Sequence, residues 1–182
     1  MTYKRIAIIG SASGSGKTTL ARSLAAHMGA TFVELDAFLH GPNWTEATDE
    51  ELRAQVAPIV ATESWVIDGL AEKKLGRLVF DAVDLVVWLD LPPSVWLPRL
   101  LARSARLWLS KEPLWNGNRE TLRGVFFKRD GLVPYALRSW FRWRRGLAAQ
   151  LNAEIAEGGK RVVRLCTVDE VADFAAALKR IR

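Results

Sequence analysis

Residues 4–19 read KRIAIIGSASGSGKTT. The apolar run IAII (6–9) has strand length and leads into a Gly/Ser-rich loop. The loop ends in Gly16-Lys17-Thr18, and a helical pattern follows with Leu20, Leu24 and Met28 on one stripe. Strand, glycine loop and helix, in that order, are the setting in which G-x-x-x-x-G-K-[ST] cradles phosphate. Gly14 and Gly16 let the backbone turn tightly and aim amide groups at phosphate oxygens. A helix starting near Gly16 adds its positive end at the same point. Lys17 is placed to reach the β- and γ-phosphates, and the Thr18 hydroxyl to ligate Mg²⁺. Ser13, Gly14, Ser15, Gly16, Lys17, Thr18 and Thr19 are therefore the expected ATP-binding segment. The start of the loop is irregular. The usual spacing puts glycine at position 11, where this chain has Ser11, with Gly10 one place earlier. Either Ser11 replaces the first glycine, at a negative φ or with a modest penalty for a positive one, or the loop is one residue longer and Gly10 supplies the flexibility; nucleotide binding is expected to survive in both cases.

Working outward, TFVEL (31–35), SWVID (64–68), DLVVWLDL (84–91) and RVVRLC (161–166) read as four more strands. A helix over 48–61 opens with the capping pair Thr48 and Glu51, and DEVADFAAALKRI closes the chain as a helix. Short apolar strands alternating with helices predict an α/β fold with a parallel sheet covered on both faces. The stretch 94–157 has no strand pattern and reads as two or three helices with a loop near 110–118. The expected organisation is one P-loop kinase-like domain over 1–182, with a helical, basic, lid-like insert about 94–157.

The chain has 182 residues, 49% hydrophobic and 25% charged, with a net charge of +6. That charge favours anionic partners without choosing among them. The single cysteine, Cys166, excludes an internal disulfide and is expected to be a buried strand thiol. No apolar stretch reaches the ~18–20 residues of a membrane helix. The first residues read as a strand and not as a signal peptide, so a cytoplasmic location and no membrane contact are expected.

GSASGSGKTTLA (10–21), ELDAFLHGPNW (34–44), SWVIDG (64–69), DLVVWLDLP (84–92) and KEPLWNGNRETL (111–122) together carry a resemblance. The chain resembles the adenylate-kinase-like small P-loop proteins known as DNA topology modulation proteins or predicted kinases. The likeness runs over nearly the whole chain, except that Leu70-Ala71 replace the family's Asn-Tyr after Asp-Gly. It implies the three-layer nucleotide-kinase core, with a five-stranded parallel sheet in order 2-3-1-4-5.

Three aspartates end apolar runs: Asp36, Asp68 and Asp90. Ligands bind at the carboxyl ends of strands in such sheets. The resemblance implies that Asp68, before Gly69, holds Mg²⁺ through water together with Thr18. It implies that Asp36 holds the acceptor hydroxyl or acts as general base. Turn or helix capping is the plainer role for either residue. Asp90 imitates an apolar-run-plus-aspartate metal motif. His40 and Trp44 lie near Asp36 and could touch substrate, although packing explains most tryptophans.

In the insert, Arg99, Arg103 and Arg106 recur at helical spacing, and further basic residues include Arg119, Arg123, Lys128, Arg129, Arg138, Arg142, Arg144 and Arg145. Arg99, Arg103 and Arg119 are the expected lid arginines that neutralise the transferred phosphoryl group. LRSWFRWRRGL is expected to pack Trp140, Phe141, Trp143 and Leu147 while its arginines face water. The leading expectation is an ATP·Mg²⁺-dependent kinase of a small-molecule phosphate acceptor, a nucleoside or nucleotide by resemblance. Two other readings stand beside it: a nucleotide-dependent protein whose basic insert contacts nucleic acid, and a plain NTPase.

Overall fold

A computed structural model describes residues 3–119, 121, 125, 131–156 and 161–180. Five strands form one parallel sheet: β1 (Arg5–Gly10), β2 (Thr31–Glu34), β3 (Trp65–Asp68), β4 (Leu85–Leu89) and β5 (Arg161–Leu165). Their order is β2-β3-β1-β4-β5, as the resemblance implies. Residues of β1 alternate between two cores. Ala7 and Ile9 join Val33, Trp65, Ile67, Val86 and Trp88 on one face. Ile6 and Ile8 join Val66, Leu85, Val87 and Leu89 on the other.

Helices cover both faces. The second face packs against α1 (Lys17–Met28) and α8 (Val168–Arg180), through Leu20, Leu24, Phe174 and Leu178. The first packs against α3 (Asp49–Val60), through Leu52, Val56 and Val60, and against the short helices α4 (Glu72–Leu75) and α5 (Leu78–Ala82). Burying one such side chain contributes about 1.5–3 kcal/mol. Exposed ion pairs such as Lys4–Glu63 are screened by water and add little, so the two apolar faces hold the sheet together.

Local signals set the element ends. Thr48 and Glu51 form a reciprocal capping box at the start of α3, with bonds of 3.2 and 2.8 Å. A second box escaped the sequence reading. Thr167 accepts from the Glu170 amide at 3.1 Å, and Glu170 accepts from the Thr167 and Cys166 amides at 3.3 and 2.6 Å. Cys166 consequently lies past the end of β5, half-buried at the turn into α8, and is not a strand residue.

Between β4 and β5 the chain forms α6 (Pro93–Ser110), a 3₁₀ turn (Trp115–Gly117) and α7 (Leu132–Ala156). Arg123, Lys128 and Arg129 lie outside the described residues. Trp96 and Leu100 of α6 meet Ala136 and Trp140 of α7, and Ala12 of the phosphate loop completes this third cluster. α7 also lays Leu147, Ala148 and Leu151 on the sheet. Phe141 meets the Trp140 ring edge-on, with centroids 4.5 Å apart, but is 61% exposed and belongs to no core cluster among the described residues. The Trp143 side chain is outside the described residues. No helix among the described residues is long and apolar enough to cross a membrane.

Candidate functional site

The loop from Gly10 to Gly16 leaves β1 and enters α1 at the carboxyl edge of the sheet. Gly16 is the N-cap of α1 at φ 94°, and α1 has no side-chain cap and no acid in its first turn. Its first amides are thus left for an outside acceptor. Gly14 has φ 84°, and a β-carbon there would stand 2.5 Å from the Trp96 carbonyl oxygen, so the loop rests directly on α6. The Ser15 hydroxyl is buried with no hydrogen-bond partner among the described residues. An uncapped helix start, an orphaned hydroxyl and glycines at positive φ fit a bound phosphate chain.

Ser11 is not among the residues of positive φ, so it sits in the loop without that penalty. It is 5% exposed, accepts from the Trp88 indole at 3.1 Å and points its hydroxyl at Asp90, 3.5 Å away. Position 11 therefore ties the loop's start to the end of β4.

Lys17, Asp36, Asp68, Arg99, Arg103 and Arg119 all line one cleft of about 1330 Å³, together with Ser13 to Thr19. Thr18 Oγ1 donates to Asp68 Oδ2 at 2.5 Å. Asp68 ends β3 beside Ile8 of β1, and only 8% of it is exposed. Burial holds its carboxyl above the ordinary value, against the pull of Lys17 and the Thr18 hydroxyl; nearby Asp36 adds to the rise. Arg99 lies across the loop, its Nη1 3.9 Å from where a Gly16 β-carbon would be. Arg106 faces elsewhere and pairs with Glu112 at 2.9 Å.

The end of β2 also differs from the sequence reading. β2 stops at Glu34, and Asp36 lies in the first turn of α2 (Leu35–Leu39). The residue level with Asp68 across β2 and β3 is Glu34. Half-buried in the same cleft, Glu34 has its carboxyl raised first by burial and further by Asp68 and Asp36; the Trp115 indole N–H and Arg22 oppose this. Its signal in the sequence was an acid inside the apolar run TFVEL, two places before Asp36. Asp36 itself is exposed, and its carboxylate accepts no hydrogen bond from a described residue.

Asp90 is used otherwise. Its side chain is fully buried and clamped by Arg144 at 2.9 Å and by Arg164. These guanidinium groups stack over Trp140 and Trp88, with 5.3 and 4.5 Å to the ring centroids. The resulting cluster joins β4, β5, α7 and Ser11. His27 is exposed in the last turn of α1, where a cation suits the helix dipole.

The raised carboxyl of Asp68 carries a stability cost. Between its unfolded and folded pKa values the native state binds more protons, so stability falls as pH rises through that window. The cost stays at higher pH. Asp68→Asn removes it and keeps an oxygen to accept from Thr18. The variant is expected to melt above wild type at neutral pH, with the gap closing in acid. Thermal unfolding of both proteins across pH checks this.

Among the described residues no group of three or more His, Cys, Asp or Glu could enclose a metal ion. Mg²⁺ is commonly held by one or two protein groups together with substrate phosphates and water, and Thr18 with Asp68 is a donor set of that kind.

A family profile described as "ATPase family associated with various cellular activities (AAA)" matches residues 7–73, from β1 through the phosphate loop to α4. No curated protein matches the chain. A shikimate kinase from Acinetobacter baumannii, solved with shikimate, is 18% identical with a TM-score of 0.56, over 99% of this chain and 93% of its own. A sugar kinase from Janibacter sp. HTCC2649 is 22% identical with a TM-score of 0.50, over 98% of this chain and 95% of its own. A shikimate kinase from Bacteroides thetaiotaomicron is 16% identical with a TM-score of 0.51, over 99% and 98%. With the loop, the all-parallel sheet and the order 2-3-1-4-5, these likenesses establish the α/β P-loop kinase fold.

Proposed function

We propose that the protein is an ATP·Mg²⁺-dependent kinase that transfers a phosphoryl group to a hydroxyl of a small molecule. One observation carries the reading. The Thr18–Asp68 pair, the exposed carboxylate of Asp36 and three arginines line the same cleft as the phosphate loop. A plain NTPase needs the first element and has no use for an acceptor wall.

The residues divide the work. The amides of Ser13 to Thr19 and the Lys17 ammonium hold the triphosphate. Thr18 and Asp68 hold Mg²⁺, which when bound offsets charge on the β- and γ-phosphates. Asp36 orients the acceptor hydroxyl and takes its proton as the new P–O bond forms. Arg99, Arg103 and Arg119 gather on the phosphoryl oxygens as charge shifts toward the leaving ADP. Segment 94–157 acts as a lid that excludes water. The acceptor is a nucleoside or nucleotide on the motif resemblance, and a sugar or a hydroxylated ring acid on the likeness to sugar and shikimate kinases.

ATP turnover measured against a panel of nucleosides, nucleotides, sugars and shikimate tests the reading. Stimulation by one class identifies the acceptor. A rate that ignores the whole panel replaces the kinase with an NTPase. Arg142 and Arg145 are exposed on α7, so binding of DNA at low salt is measured in parallel. Salt-sensitive binding that is lost on their removal would assign the basic insert to nucleic acid instead.

A further inference from the structure

Two loops far apart in sequence close on each other beside Asp36. The first runs from Leu39 to Ala47 and is pinched by Gly41 N–H to Thr45 O at 2.7 Å and Ala47 N–H to Leu39 O at 2.9 Å. The second is the turn over 114–118, closed by Leu114 N–H to Asn118 O at 2.6 Å. Asn118 is 4% exposed and uses both ends of its amide on the first loop. Its Nδ2 donates to Gly41 O and its Oδ1 accepts from Trp44 N–H, each at 2.9 Å. Asn116 Nδ2 donates to His40 O at 2.6 Å and to Ala37 O at 3.1 Å. The His40 ring lies between Trp44 and Trp115, 5.6 and 5.8 Å from their centroids. The Trp115 indole reaches on to Glu34.

The clasp also holds unfavourable backbone. Asn43, Trp44 and Asn116 have φ of 55°, 59° and 56°. Trp44, with a bulky side chain, is seldom found there and needs its surroundings to hold it. Its amide is the one that Asn118 accepts. His40, Trp44, Trp115, Asp36 and Glu34 all line the cleft, so the clasp forms part of its wall.

We propose that Asn118 is a positioning residue: by bracing loop 41–44 on the turn that follows α6, it fixes where His40, Trp44 and Trp115 stand relative to Asp36, and so shapes the acceptor site. The contact is structural fact, and its meaning for an acceptor rests on the kinase reading. The clasp also makes the wall and the base of the insert one body. An acceptor that presses on Trp44 therefore presses on the segment leading out of α6.

Asn118→Ala and Asn118→Asp test this against wild type. In N118D the ionised carboxylate accepts from Trp44 but repels Gly41 O, whereas the protonated carboxyl donates and accepts as the amide does. Burial raises the new carboxyl, so acid from about pH 8 toward about pH 5 is expected to rescue N118D and not N118A. The wild-type protein taken through the same pH series is the control. At high pH both variants are expected to shift the Trp44 and Trp115 indole N–H resonances. They are also expected to raise the KM of the best acceptor in the panel about tenfold, with a smaller change in kcat and ATP affinity within about twofold. Unchanged resonances and KM would overturn the proposal. So would equal loss of ATP affinity, which marks general damage. If no panel member accepts phosphate from wild type, the kinase reading fails, and the resonance series alone decides whether Asn118 holds the loop.

Discussion

Lys17→Ala is expected to weaken ATP binding by about 10- to 100-fold while the melting temperature stays within about 2 °C of wild type. The loss is that of one charge-assisted hydrogen bond, about 1.5–3 kcal/mol. The folded chain loses little. Lys17 is half-exposed, and its ammonium makes one weak bond, at 3.5 Å, to the Ala12 carbonyl. Such substitutions change stability by about 0.5 kcal/mol or less, which for a chain of this size is about 2 °C. Lys17 also restrains the Asp68 carboxyl, so its removal lets that group rise further. Isothermal titration with ATP, in parallel with thermal unfolding, separates the two quantities. Equal ATP affinity in both proteins would sink the phosphate-loop assignment.

Asp90→Ala should do the reverse: a large cost in stability with no direct loss of a nucleotide contact. The carboxylate is fully buried, and it compensates two guanidinium groups whose side chains are 40% and 45% exposed. Removing one partner of a buried ion pair costs about 3–5 kcal/mol. The arginines here keep some water, which lowers the figure to about 2–3 kcal/mol. For this length the melting temperature falls by about 4–12 °C. Arg144→Ala should cost less, because Arg164 still answers the carboxylate. An Asp90→Ala protein as stable as wild type would mean that the cluster is decoration. A loss of ATP turnover at unchanged melting temperature would return Asp90 to the active site.

The phosphate loop and the sheet were legible in the chain because their signals are local. Apolar runs of strand length, a glycine loop between strand and helix, and Thr48 with Glu51 at a helix start each act over a few residues. What escaped depends on register and on distant partners. The run FVELD gives no sign that pairing with β3 ends at Glu34 and that Leu35 begins a helix. VVWLD reads as a metal motif until Arg144 and Arg164 arrive from elements 54 and 74 residues away. GPNW and LWNGN each read as a turn. That Asn118 would bind Gly41 from 77 residues away is a tertiary fact that no spacing rule contains. The α7 segment mixes the two cases: Trp140 packs as its pattern suggests, and Phe141 faces water.

Asn116 is followed by Gly117, the pair most prone to spontaneous deamidation in a flexible chain, where the glycine nitrogen attacks the asparagine amide carbon to form a succinimide. In the folded protein both reactants are occupied. Gly117 N–H is bonded to Leu114 O at 3.2 Å, and the Asn116 amide is held by the carbonyls of Ala37 and His40. The fold thus shields its own weakest chemical step. Once cyclised and reopened, that position would carry a carboxylate facing two carbonyl oxygens and could not dock again. Deamidation at Asn116 is therefore set by how often the 114–118 turn lets go.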